Sequence, residues 1–267
     1  MSVSARLFFR KTVRLWIALI AVSATFGFLL HSAGFPAAFL IGPMLVAIAF
    51  AVRGAQLHVP RPYLLGAQAV VGVLVARALD PNTLAAISRD WVAMLLVVMT
   101  TILASTFAGW LMARTRQLPG TTAAWGCSPG AATGMVVMAE EFGADPRMVA
   151  LMQFLRVTMV VVVATLVSRL VFGVNATEVV PGADVLSQAD ASMDVVATLA
   201  VIAVGAVAAR VMPVPSGGVF VPLIIAAAFQ ATGLFTIIIP AWVLILAFSL
   251  IGWWVGLRFE RETVIYA

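Results

Sequence analysis

The chain has 267 residues, of which 63% are hydrophobic and only 10% charged, with a formal net charge of +5 and a mean hydropathy of +1.10. Soluble domains carry about 25% charged residues, so this composition excludes a soluble enzyme or binding module and implies a protein that crosses a membrane several times. The basic residues lie between apolar segments rather than in one patch, which fits membrane-flanking loops better than a nucleic-acid surface.

The N-terminal stretch carries Arg6, Arg10, Lys11 and Arg14 before an apolar run from Leu15 to Leu30. That run is long enough to span and begins a unit that recurs later. We therefore expect a retained first helix with a cytoplasmic N-terminus rather than a cleaved leader. Further apolar runs predict helices over 13–31, 37–52, 63–79 and 91–113. A broken segment follows over 119–141, and then a helix from Pro146 to about Phe172. Residues 173–192 form a polar linker carrying Glu178, Asp184 and Asp190. Three more helices are expected over 193–211, 217–233 and 240–257.

A repeat runs through these runs. A shift of 179 residues aligns Pro36 with Pro215, Pro43 with Pro222, Ala47 with Ala226 and Phe50 with Phe229. One further residue of offset pairs Pro60 with Pro240, Leu64 with Leu244, Ala67 with Ala247 and Gly72 with Gly252. Two prolines seven apart, recurring in order, imply a duplication. The expected organisation is a first membrane repeat over 1–172 and a partial second repeat over 193–267. The second copy stops after its first three helices, so the rest of that copy is either absent or supplied by a second copy or a separate chain.

The positive-inside rule bears on the broken segment. If it enters and returns on the cytoplasmic side, Arg147, Arg210, Arg258 and Arg261 join Arg6, Arg10, Lys11, Arg14, Arg53, Arg61, Arg114 and Arg116 inside. Only Arg77, Arg89 and Arg169 are then left outside. A full crossing gives a weaker asymmetry. The fold class expected is therefore an all-α polytopic membrane protein, an inverted-repeat, transporter-like helical bundle with one re-entrant or broken helix and a truncated second repeat.

Candidate site residues cluster at the break. In Ser128, Pro129, Gly130, Thr133 and Gly134, glycine permits close backbone approach, proline frees a carbonyl, and a following helix start would offer N–H donors to an anion. The alternative is a glycine-lined packing surface. Arg156 lies ten positions past Pro146, about 15 Å into the helix, where a guanidinium needs water, an anion or an acid. It reads either as the counter-charge for an anionic solute or as the structural partner of Glu140 or Glu141. Gln153 shares its helix face and is a candidate to hydrogen-bond the same solute. Gln68, inside an apolar helix, is a further candidate for contact with the solute. Pro36, Pro43, Pro215 and Pro222 are expected to kink or unwind the two short helices, for packing or to open carbonyls toward a cavity.

One cysteine, Cys127, permits neither an intrachain disulfide nor a cysteine metal cluster, and His31 and His58 alone make no histidine-rich site. No metal or cofactor is expected. The partners expected are membrane lipid and a small solute, with no direct nucleic acid.

The stretch from Ser128 to Val157, SPGAATGMVVMAEEFGADPRMVALMQFLRV, together with the Pro60–Gly72 region and Gln68, resembles the AbrB family of bacterial inner-membrane proteins. Members are often labelled as ammonia monooxygenases or as regulators of gene expression, and the name is shared with an unrelated soluble transcription factor. The resemblance implies a multi-pass inner-membrane protein with a duplicated membrane domain, similar in architecture to transporters with crossing broken helices. Ala131 stands where the family usually has its second glycine and Gly134 where it usually has glutamate, so a proton or cation role for that carboxylate has no counterpart here. A monooxygenase would require a cofactor that the residues do not provide for, so the expected activity is not enzymatic. The function expected is handling of a small, anionic solute, the alternative being an indirect role in gene regulation without transport.

Overall fold

Glycine and proline divide the apolar runs into helices, and the described residues contain no strand. The computed structural model describes residues 3–35, 37–79, 81–115, 120–130, 135, 139, 142–171, 191–212, 217–231 and 236–259. In chain order the helices are α1 (Val3–Ser32), α2 (Ala38–Val52), α3 (Arg61–Arg77), α4 (Pro81–Arg114) and α5 (Gly120–Cys127). They are followed by α6 (Pro146–Leu170), α7 (Ala191–Val211), α8 (Gly217–Ala231) and α9 (Ala241–Gly256). Pro36 and Pro215, and all but the last two residues of the linker 173–192, lie outside the described residues.

Three stretches are long and apolar enough to cross a membrane, Thr12–Ser32 of α1, Ile87–Arg114 of α4 and Met193–Val211 of α7. Their outward faces are hydrophobic: Val92, Leu95, Leu96, Val97 and Leu103 of α4 are all exposed. Water would penalise so large an apolar surface, whereas hydrocarbon would not. Thr100, Thr101 and Thr106 turn their hydroxyls back onto the carbonyls of Leu96, Val97 and Ile102 at 2.7–2.8 Å. Those groups are thus satisfied without solvent. The sequence predicts this helix from residue 91; it starts at Pro81 and bends at Asp90 (φ −106°, ψ 19°), so the apolar span follows the bend.

The short helices pack in two reciprocal pairs. α2 and α8 have 15 residues each and a buried proline in their interior, giving about 22 Å against a hydrocarbon core of roughly 30 Å. α2 lies against α9 and α3 against α8. At Gly72 of α3 a Cβ would collide with the Val219 carbonyl and lie 3.2 Å from the Leu223 nitrogen. At Gly252 of α9 it would lie 2.6 Å from the Leu40 carbonyl oxygen and 3.1 Å from the Met44 nitrogen. Leu40 and Met44 are the positions that the 179-residue shift places on Val219 and Leu223. Pro60 and Pro240, which open α3 and α9, share one backbone conformation, φ −62°, ψ 140° and φ −59°, ψ 142°.

Helix direction follows from the same contacts. From Gly252 to Gly256 along α9, the closest α2 groups advance from Leu40 and Met44 to Met44, Ala47 and Ile48, so α2 and α9 run the same way. In α3, Gln68 lies on Gly218, and the Arg77 carbonyl accepts a 3.5 Å bond from Gln230 Nε2, so α3 and α8 also run together. One apolar cluster joins Ala67, Val70 and Val73 of α3 to Val201, Ile202, Ala226, Leu244, Ala247 and the non-helical Ile237 and Ile239. A second joins Leu19, Val46, Ala47, Leu57 and Trp253. Trp253 Nε1 adds a 2.9 Å bond to the buried hydroxyl of Ser23.

A methyl group at either crossing glycine has to displace backbone, at about 1–3 kcal/mol of destabilisation by overpacking. Gly72→Ala and Gly252→Ala are therefore expected to lower the thermal midpoint of the purified protein. Gly66→Ala, with open space where its Cβ would go, should not lower it.

Candidate functional site

The site forms where α5 stops and α6 passes beside it. α6 begins on an Asp-Pro step: Asp145 Oδ1 accepts from the Met148 backbone nitrogen at 3.3 Å, with Pro146 in the first turn. This is a favourable helix start, since the proline has no N–H to leave unpaired. The Asp145 nitrogen donates to the fully buried hydroxyl of Thr122 at 3.1 Å, which sets the register of α5 on α6.

From that tie the two helices run in the same direction. Further along, Gly126 lies against the Met152 side chain with no room for a Cβ, and the end of α5 meets Gln153 and Arg156. The chain between them returns through Phe142, whose ring lies 5.5 Å from that of Trp125. Ala139, Ala144 and Val149 form a small buried cluster there.

A helix that ends in apolar surroundings leaves carbonyls without partners. Here a side-chain amide and a guanidinium from α6 supply them. Gln153 is completely buried, and its Nε2 donates to the carbonyls of Trp125 (3.0 Å), Gly126 (3.3 Å) and Ser128 (2.9 Å). Arg156 donates from one terminal nitrogen to the same Ser128 carbonyl at 3.1 Å. Its positive charge therefore sits at the negative end of the α5 dipole. Ser128 Oγ donates to the Ala124 carbonyl at 2.7 Å.

Ser128, Gln153 and Arg156 thus come together, and Pro129 and Gly130 follow directly in the chain. Gly130 leaves no space for a Cβ beside Met135. The sequence suggests that Gln153 hydrogen-bonds a solute; its amide nitrogen is engaged with helix-end carbonyls. Thr133, Gly134, Glu140 and Glu141 lie outside the described residues. Gln68 rests on Gly218 at the α3–α8 crossing rather than at this corner.

The prolines act at those crossings. Pro43 and Pro222 are fully buried, and each removes the N–H that would pair with the carbonyl four residues earlier, Phe39 and Gly218. Ser249 Oγ of α9 takes up the first at 3.4 Å. Sequence reasoning passed over Thr122, Ser249 and Ser23. The Asp145-Pro146 step was a signal for the first of these, because a capped helix start needs something to hold it.

Replacing Gln153 by leucine keeps the volume but removes donors from buried carbonyls, at about 1–3 kcal/mol for each group left unpaired. Thermal unfolding in detergent should show a larger loss for Gln153→Leu than for Thr100→Val, whose exposed hydroxyl returns to a carbonyl of its own helix.

Comparison with known proteins gives a consistent family assignment. The family model described as "Transition state regulatory protein AbrB" matches residues 39–267. The chain is 38% identical over 244 residues to "Putative regulator AbrB" of Escherichia coli strain K12, covering 90% of this chain and 70% of that protein. It is 29% identical over 155 residues to "Uncharacterized protein YhjN" of Bacillus subtilis strain 168, covering 55% of this chain and 40% of that one. No solved structure matches. The chain belongs to the AbrB family.

Proposed function

We propose that this protein is a multi-pass inner-membrane secondary transporter, or a protein derived from one, that handles a small anionic solute at the α5–α6 corner. The observation that carries this reading is Arg156. It is a half-buried guanidinium midway along an apolar helix, and among the described residues only one hydrogen bond engages it. A buried arginine in a span costs about 2.5–3.5 kcal/mol at the centre of an inserted helix, and a solute anion would offset that cost.

Four features support the surrounding architecture. The parallel course of α5 and the first half of α6, with the chain returning between them, suits a segment that enters and leaves on one side. The reciprocal glycine contacts of Gly72 and Gly252 suit a duplicated unit. Because α2 runs with α9 and α3 with α8, while Leu57 and Ile237 turn the chain back after α2 and α8 onto the clusters described above, the copies fit an inverted arrangement. Arg114 over the Trp110 ring (5.1 Å) and Arg258 over the Trp254 ring (4.7 Å) suit anchors at a cytoplasmic interface. The names borne by the family and by the Escherichia coli relative favour a second reading, a membrane protein that affects gene regulation indirectly.

In proteoliposomes, Arg156→Ala should reduce uptake of small anions by more than about tenfold, equivalent to roughly 1.4 kcal/mol. Unchanged uptake would remove the corner from the transport reading. A regulatory phenotype that persists in the Ser128→Ala, Arg156→Ala double variant would favour the second.

A further inference from the structure

The Gln153 amide cannot be turned over. Its Nε2 faces three carbonyl oxygens, of Trp125, Gly126 and Ser128, and carbonyls only accept. The other atom, Oε1, is therefore fixed on the side away from α5. It is buried and has no hydrogen-bond partner among the described residues. An acceptor left this way in a fully buried side chain calls for a donor that the described residues do not supply.

One turn further on the same helix face, Arg156 presents the complementary need. It has five N–H donors, and its one described bond goes to the Ser128 carbonyl that Gln153 also uses. Among the described residues, the corner thus combines an unfilled acceptor with unfilled cationic donors. Water satisfies the first but does not neutralise the second. A plain carboxylate pairs with the guanidinium and leaves Oε1 bare, while a neutral polar molecule leaves the charge unmatched.

We propose that the α5–α6 corner binds a small carboxylate that carries its own hydrogen-bond donor, with the carboxylate on Arg156 and the donor, a hydroxyl, on Gln153 Oε1. This rests on the solute-binding reading above and specifies its substrate class. Gln153 then has two functions with its two amide atoms: the nitrogen closes the helix end, and the oxygen selects the ligand.

Varying the ligand tests this without disturbing the fold. The full chain in lipid nanodiscs is titrated with glycolate, acetate and methoxyacetate; the last retains the ether oxygen but lacks the donor. Glycolate should bind about tenfold to hundredfold more tightly than either of the others, as expected for loss of one buried hydrogen bond. Arg156→Gln should abolish binding of all three, and Arg156→Lys, which keeps the charge, should retain part of it. Equal affinity for the three would overturn the donor subsite while supporting an anion site. If none of them binds but Arg156-dependent uptake of another anion is measured, the proposed class is wrong and the transport reading stands. If neither binding nor Arg156-dependent uptake is found, both are wrong.

Discussion

A helix that ends inside an apolar environment must have its last carbonyls satisfied by protein, because no solvent is at hand to do so. At the end of α5 the carbonyls of Trp125, Gly126 and Ser128 are met by Gln153 and Arg156 of α6. The neighbouring features depend on getting those two side chains to the right place. Asp145 and Pro146 start α6 sharply, the Thr122 hydroxyl fixes that start against α5, and Gly126 lets Met152 pass close enough for Gln153 to reach three carbonyls. A shift of one residue along α6 would turn both polar groups by about 100° and leave the carbonyls bare. The cost of that misplacement makes the corner a determinant of local register.

The remaining short helices solve a similar problem by a different route. α2 and α8 each contain a proline that sacrifices a backbone bond, and close packing against α9 and α3 covers the damaged stretch. Gly72 and Gly252 allow that approach, and Ser249 meets the freed carbonyl of Phe39. Contact between these helices and α6 includes the Met44 sulfur beside the Thr158 hydroxyl and an apolar cluster joining Met44, Ile48, Val255 and Phe259 to Ala150 and Leu151. α4 packs mainly on α5, with Gly109 beside Cys127, and otherwise exposes an apolar surface that lipid would cover.

Much of the helical order was legible in the sequence because apolar runs interrupted by Pro and Gly leave few other choices in a membrane-like composition. A shift of 180 residues places Gly72 on Gly252 and Pro60 on Pro240 in the sequence alone, and both glycines stand at close helix crossings. The bend at Asp90 was not legible, because a single non-helical residue between two good helical stretches leaves no periodic signature. The engagement of Gln153 was also hidden: spacing places Gln153 and Arg156 on one face but says nothing about which carbonyls end a neighbouring helix. Thr122 looked like one more polar residue at the edge of a break, and only its contact with Asp145 shows why a hydroxyl stands there. Pro36, Pro215, Thr133, Gly134, Glu140 and Glu141 fall outside the described residues.

The most direct test of the helix-end closure is hydrogen–deuterium exchange across residues 120–130 in lipid nanodiscs, comparing the native protein with Gln153→Leu. If the amide of Gln153 closes the end of α5, its loss should fray that helix and speed exchange of the amides from Ala124 to Ser128 by about tenfold or more, in keeping with the loss of at least 1.4 kcal/mol of local stability. The α3–α8 pair should be unaffected. Exchange at α5 that is unchanged by the substitution would contradict the account.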